Sequence, residues 1–280
     1  MNRQKSFEND KPTLFLVATP IGNLSELTPR AIKVLSEVDL IAAEDTRQTK
    51  KLTTHFGIGT RIVTHHQHNE IDSSEGIIKF LSEGKSVALV SDAGYPLISD
   101  PGQHLVRRVT ESGFNVVPIS GSSASLNALV ASGLDTSSFV FVGFVEKKNS
   151  IRKKQFDRIK KYPETLVFYE APHRIVETLK FLLDSLGDRQ MCLAREITKL
   201  HEEFIRGSIS EVLAIASLLK GEMVIVVEGY TQKDEIVAIE DIKLLVEEKM
   251  KSGLSKSAAI KEVSEQLNIS KNQIYNEFHN

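Results

Sequence analysis

An α/β fold is predicted for this chain of 280 residues: two α/β domains, the first with a parallel-rich sheet and the second with a mixed one, then a small helical segment. Three observations predict it. Short apolar runs alternate with amphipathic stretches five times from Leu14 onward, apolar runs crowd together toward residue 229, and from Ile239 the pattern becomes purely helical. The divisions read as 12–133, 139–231 and 239–280, with the polar, glycine-containing SGLDTSS (Ser132–Ser138) separating the first two.

Each element has its own warrant. LFLVA, DLIAA, RIVTH, VALV and VVPI are short apolar runs that read as strands, VALV as an interior one, and each precedes a helical pattern: TPRAIKVLSEV, RQTKKLTTHF, EGIIKFLSEG, GQHLVRRVTESG and SSASLNALVASG. Five β-then-helix units imply a parallel sheet covered on both faces. Thr28 before Pro29 is a strong helix start, because an N-cap hydroxyl and a proline at the first helical position both suit unsatisfied backbone donors. FVFVGF, TLVFYEA, MCLARE, EEFIRG and GEMVIVVEG supply the second sheet, with helices between them starting at the basic stretch and near Pro172 and His173. In the last segment Ala259, Val263 and Leu267 share a helical face, and Asn268-Ile269-Ser270 is suited to turning the chain into a second helix.

Composition narrows the class. With 41% apolar and 26% charged residues the chain is neither disordered nor fibrous. A net charge of −2 gives no global footprint for nucleic acid, so an RNA partner must be met by a local patch. Glu146 to Lys161 is such a patch, with eight Lys or Arg against two acidic residues; Lys147, Lys148, Arg152, Lys153, Lys154 and Arg158 are the candidate RNA-binding side chains, a solvated helix face being the plain alternative. The last segment carries six lysines against seven acidic residues, which disfavours a strongly electrostatic reader. Cys192, the single cysteine, reads as a buried structural thiol. No secretory signal and no membrane span is visible, so a cytoplasmic protein is expected.

The loops at the strand ends carry the chemistry: TPIGNL, EDTRQT, HHQHNE, SDAGYPLISDPG and SGSSAS. Open α/β sheets bind ligands there. TPIGNL lacks the G-x-G-x-x-G of a dinucleotide site. Glu44 and Arg47 put a carboxylate and a planar cation after a buried strand, and Glu196 and Lys199 do the same in the second domain. His65, His66 and His68 lack acidic or cysteine partners at a zinc spacing, so no metal is expected.

ATPIGNLSELTPRA, AEDTRQTKKL, SDAGYPLISDPG, FYEAPHRI, AREITKLHEE and GEMVIVVEG occur in order between Thr13 and Gly229. Together they resemble the bacterial small-subunit (16S) ribosomal RNA 2′-O-methyltransferases of the tetrapyrrole-methylase superfamily. The resemblance implies a homodimer that holds S-adenosylmethionine between two α/β domains and methylates a cytidine ribose of the decoding region, in free RNA or in the assembled 30S subunit. It implies donor contacts at Pro20, Ile21, Asp92, Gly94, Tyr95, Ser122, Ser123, Ala124, Tyr169, Glu170 and Met223. Tyr95 stands where a small residue is expected, and Ser120 and Ser122 where prolines are. Glu44 or Lys199 is expected to handle the hydroxyl proton, Arg47 to orient an RNA phosphate and Glu196 to position Lys199. A small-tetrapyrrole methylase and a non-catalytic RNA- or protein-binding module are the competing readings.

Overall fold

The apolar runs become strands where both faces of the chain are covered. A computed structural model describes residues 3–6, 8, 9, 11–231, 239–267, 271 and 274, and divides into two compact units, Met1–Tyr230 and Thr231–Asn280. In the first unit β1 (Thr13–Val17), β2 (Leu40–Ala43), β3 (Ile62–Thr64), β4 (Val87–Val90) and β5 (Asn115–Ile119) form a wholly parallel sheet in the order β3-β2-β4-β1-β5. Every residue of β2 and β4 is buried, as continuous apolar runs in a two-sided sheet must be.

Helices α1 (Pro29–Glu37) and α2 (Thr46–His55) cover one face through Ala31, Leu35 and Leu52; α3 (Glu70–Ser82) and α4 (Gln103–Glu111) cover the other through Ile77, Leu81, Leu105 and Val109. Thr28 caps α1 as its sequence predicts, its hydroxyl accepting from Ala31 N–H at 3.1 Å.

A second sheet, order β6-β7-β10-β8-β9, is made by β6 (Phe139–Phe144), β7 (Thr165–Glu170), β8 (Gln190–Arg195), β9 (Glu203–Ser208) and β10 (Met223–Val227). It is mixed, as expected: β6 and β7 are parallel and the other neighbours antiparallel. One face is packed by α6 (Asn149–Ile159), α7 (Ile175–Leu186) and α8 (Ile209–Ile215), through Phe156, Leu179, Leu182 and Val212.

The other face receives α5 (Ala124–Ala131). Its Ala128 and Leu129 pack among Val167, Cys192, Ala194 and Val226, so the fifth helix of the β-then-helix series serves the second sheet and not the first. Cys192 is fully buried there, and burial raises its thiol pKa. Helix α7 begins at Ile175, a few residues beyond its expected start, because residues 172–174 form a turn closed by Arg174 N–H to Ala171 O.

In the second unit α9 (Ile239–Lys251) and α10 (Lys256–Leu267) share a small core of Ile242, Val246, Ala259, Ile260, Val263 and Ile274. Ala259 and Val263 do face inward together. The turn expected at Asn268-Ile269-Ser270 lies outside the described residues. Among the described residues no helix is long and apolar enough to cross a membrane.

Candidate active site

Three loops of the first sheet meet because their strands end side by side. Thr19 and Gly94 exchange backbone hydrogen bonds (2.9 and 3.0 Å), and Thr19 Oγ1 donates to Ser91 O, joining the loops after β1 and β4. The Tyr95 hydroxyl accepts from Gly121 N–H at 3.1 Å and brings in the loop after β5. The far end of the β4 loop is pinned by Glu70, whose Oε1 accepts from Gly102 and His104 N–H. From the other side come the end of β7, the loop after β8 and the start of β10, aligned by a register that sets Met223 opposite both Glu170 and Arg195.

Between them lies a cleft of about 330 Å³, within the range of small-molecule sites. Ile21, Gly94, Tyr95, Ser123, Ala124, Tyr169, Glu170 and Met223 line it, all expected from sequence. Pro20 and Asp92 line a separate hollow beside it, with Gly22 and Lys51. Ser122 is tied instead to Glu26, its Oγ donating to Oε2 at 2.7 Å. Glu170 is a wall more than a free carboxylate: its side chain is wholly buried, bonded to Thr178 Oγ1 and Ala171 N–H and facing Arg174 at 3.4 Å.

Carboxylates gather at the first sheet's edge. Asp45 caps α2 and pairs with Arg47 at 2.7 Å; those hydrogen bonds hold its carboxyl down to about 2. Arg47 is 87% exposed, free to meet an incoming anion from solvent. Burial raises the pKa of Glu44 and of Asp92, and their mutual repulsion raises Glu44 further. Asp100, inside the cleft, is pushed up to about 6, by burial first and then by the charge of Glu44.

The second sheet contributes a cation. Lys199 Nζ donates to Glu196 Oε1 (2.9 Å) and Glu222 Oε2 (2.8 Å). Burial alone would lower its pKa, but these two carboxylates outweigh burial and raise it. Lys199 is therefore held as an ammonium, its charge already met by Glu196 and Glu222, which unsuits it to accept a proton. Gly22 allows this: at φ 144° a Cβ there would sit 2.6 Å from Lys199 Cγ.

Backbone strain collects in the same place. Among the described residues the non-glycine positive φ values are Leu97, Ser99, Glu196 and Thr198, all in the loops after β4 and β8, and such strain persists where surrounding structure over-determines it.

The basic stretch is divided. Lys147, Lys148, Lys153, Lys154 and Arg158 are exposed, whereas Arg152 turns inward, bonded to Glu177 (2.8 Å) and stacked on Phe181. A buried, paired guanidinium does not face RNA, so Arg152 leaves the contact set. The histidines after β3 are also divided: His65 is buried against Ser73, and His66 packs edge-on to His68. Among the described residues no group of three or more His, Cys, Asp or Glu is placed to hold a metal.

Sequence reasoning missed Asp100, Phe144 and Glu222, which all line the cleft. Asp100 had a signal, the second aspartate of the β4 loop. Glu222 had only its neighbour Met223 as a signal, because it precedes a strand and nothing local shows that β10 starts at the cleft.

A two-sheet α/β fold with its cleft between strand ends defines a class before any comparison. Residues 13–213 match the tetrapyrrole (corrin/porphyrin) methylases, and the chain belongs to that family. It is 45% identical, over 100% of this chain and 99% of the relative, to the protein of Bacillus subtilis (strain 168) named ribosomal RNA small subunit methyltransferase I. The Escherichia coli O157:H7 protein of the same name is 41% identical over 98% of this chain and 97% of that one. Among solved structures, diphthine synthase superposes with a TM-score of 0.61 at 16% identity, covering 79% of this chain and 91% of that one. A cobalt precorrin-4 methyltransferase gives 0.59 at 14% identity, covering 77% and 94%; at such identities the likeness shows the fold alone.

Proposed function

We propose that this methyltransferase moves a methyl group from S-adenosylmethionine to the 2′-hydroxyl of a cytidine ribose in small-subunit ribosomal RNA. The observation that carries this reading is identity of 41–45% along essentially the whole chain with proteins named for small-subunit ribosomal RNA methylation.

The cleft suits the donor. Its walls combine apolar and aromatic side chains (Ile21, Tyr169, Met223) with polar backbone at Gly94 and Ser123, and Asp100 adds a carboxylate where a cationic sulfonium gains from one. Bound there, S-adenosylmethionine supplies an electrophilic methyl group. The chain's own task is to align the hydroxyl, exclude water and take up the released proton.

Glu44 and Asp100, with raised pKa values, are the carboxylates suited to receive that proton. Lys199, fixed by Glu196 and Glu222, holds the loop after β8 against the start of β10, and Arg47 orients an RNA phosphate from the rim. Lys147, Lys148, Lys153, Lys154 and Arg158 supply the outer RNA contacts. Residues 12–133 and 139–231 act as the two donor-binding halves, 239–280 as a docking extension, and the protein works in the cytoplasm as a homodimer.

The test is transfer of labelled methyl from S-adenosylmethionine to small subunits and to naked ribosomal RNA, both from cells lacking the gene, followed by nucleoside analysis. Ribose-methylated cytidine is expected. Label on neither substrate refutes the reading, and sedimentation of the protein checks the dimer.

A further inference from the structure

The edge strand β6 ends in a device that the donor cleft does not explain. In an unbroken strand Phe141 and Phe144 point to opposite faces. Here the register slips between Phe141 and Gly143, with Gly143 at φ 77°. A bulge of this kind re-aims the side chains after it. Both phenylalanine rings consequently meet the same residue, Tyr169, edge-on at centroid distances of 5.0 and 5.6 Å. Phe141 is partly buried on that face, while Phe144 stays 52% exposed.

Phe144 is also a shared wall. It lines the donor cleft and, with Ala171, a second hollow of about 410 Å³ next to it. Val145, Glu146, Lys147, His173 and Arg174 complete that hollow. Arg174 is committed to Val145 O and Glu170, and Glu146 is the one carboxylate. Lys147 and His173 are exposed at its edge, and Lys148 follows directly in the chain. An aromatic ring held by a neighbour, open on a cavity edged by a lysine and an imidazole, has the chemistry that receives an unstacked base and its phosphate.

Building on the proposed RNA substrate, we propose that the hollow behind Phe144 is the acceptor-nucleotide subsite, where the base stacks on Phe144 and Lys147 and His173 meet the adjoining phosphates. The hollow adjoins the donor cleft at Phe144, so a base stacked on that ring leaves its ribose at the rim of the cleft, facing the donor.

The chain contains no tryptophan, so Phe144→Trp installs a single fluorescent reporter. With the site saturated by S-adenosylhomocysteine, a short cytidine-containing oligoribonucleotide should quench its emission. In steady-state transfer Phe144→Leu, which keeps apolar bulk and loses the ring, should raise KM for the RNA substrate about tenfold, a larger factor than its effect on donor affinity, and Phe144→Tyr, which keeps the ring, should restore the RNA KM. Quenching by S-adenosylhomocysteine with no further change on adding RNA, or a Phe144→Leu defect confined to donor affinity, overturns the proposal. So does an unchanged KM. If the wild-type protein labels no ribosomal RNA, the proposed function fails, and the subsite is then decided by the quenching alone.

Discussion

The first sheet delivers its loops to the cleft because all five strands run the same way, whereas the second does so because β10 runs against both its neighbours. In the parallel sheet every loop at the functional edge follows a strand. In the mixed sheet that edge holds the ends of β7 and β8 and the beginning of β10, so Glu222 and Met223 reach the site from the opposite chain direction. The electrostatics differ in the same way. The parallel edge concentrates carboxylates that repel one another, and the mixed edge neutralises its carboxylates with Lys199 and Arg174. A proton acceptor therefore belongs to the first sheet and a fixed cation to the second.

Breaking the mixed edge has the largest expected effect. Glu170→Ala leaves Arg174 without its buried carboxylate and should cost about 3–5 kcal/mol in urea unfolding, with Glu170→Gln costing less. Next comes the point where the two edges touch. Gly22→Ala forces a Cβ toward Lys199 at a backbone angle that alanine resists, and should destabilise by about 1–3 kcal/mol. Because Lys199 must shift, methyl transfer should fall by about tenfold or more.

Asp100 tests the parallel edge through pH. Its folded pKa of about 6 lies above the ordinary 3.8, so the folded protein holds this proton more tightly than the unfolded chain does. The stability it contributes is full below the ordinary value and is lost as pH rises through the folded one. Asp100→Asn should accordingly be more stable than wild type near neutral pH, by on the order of 1 kcal/mol after allowing for its partial exposure, with the difference shrinking toward about pH 4. Denaturation midpoints across that interval check the sign, and the same variant should flatten the rise of activity through about pH 6. The smallest structural effect belongs to Arg47→Ala, whose solvent-exposed ion pair adds little to stability: the denaturation midpoint should stay near wild type, while KM for the RNA substrate should increase.

Much of the first sheet could be read from the chain because its information is local. Val87–Val90 is an uninterrupted apolar run, and Thr28-Pro29 is a helix start that depends on nothing distant. The loops after β1, β4 and β5 could be named as site loops for the same reason. Asp100 was passed over since nothing within the β4 loop distinguishes it from Asp92; only burial in the folded cleft separates them. Arg152 looked like one more cation of a basic helix, yet helical phase turns it toward Glu177 and Phe181, twenty-five and twenty-nine positions away.

What the sequence by itself determined is whatever neighbours along the chain decide: the alternation of strands and helices, the loops that carry chemistry, the mixed second sheet and the family. Tertiary structure alone decided which distant groups meet: that α5 serves the second sheet, that β10 brings Glu222 to Lys199, and that a bulge turns Phe144 toward the cleft. Apolar periodicity and capping act over a few residues and leave their mark in the pattern. Strand order, register and burial arise from packing between segments far apart, and no local pattern records the outcome.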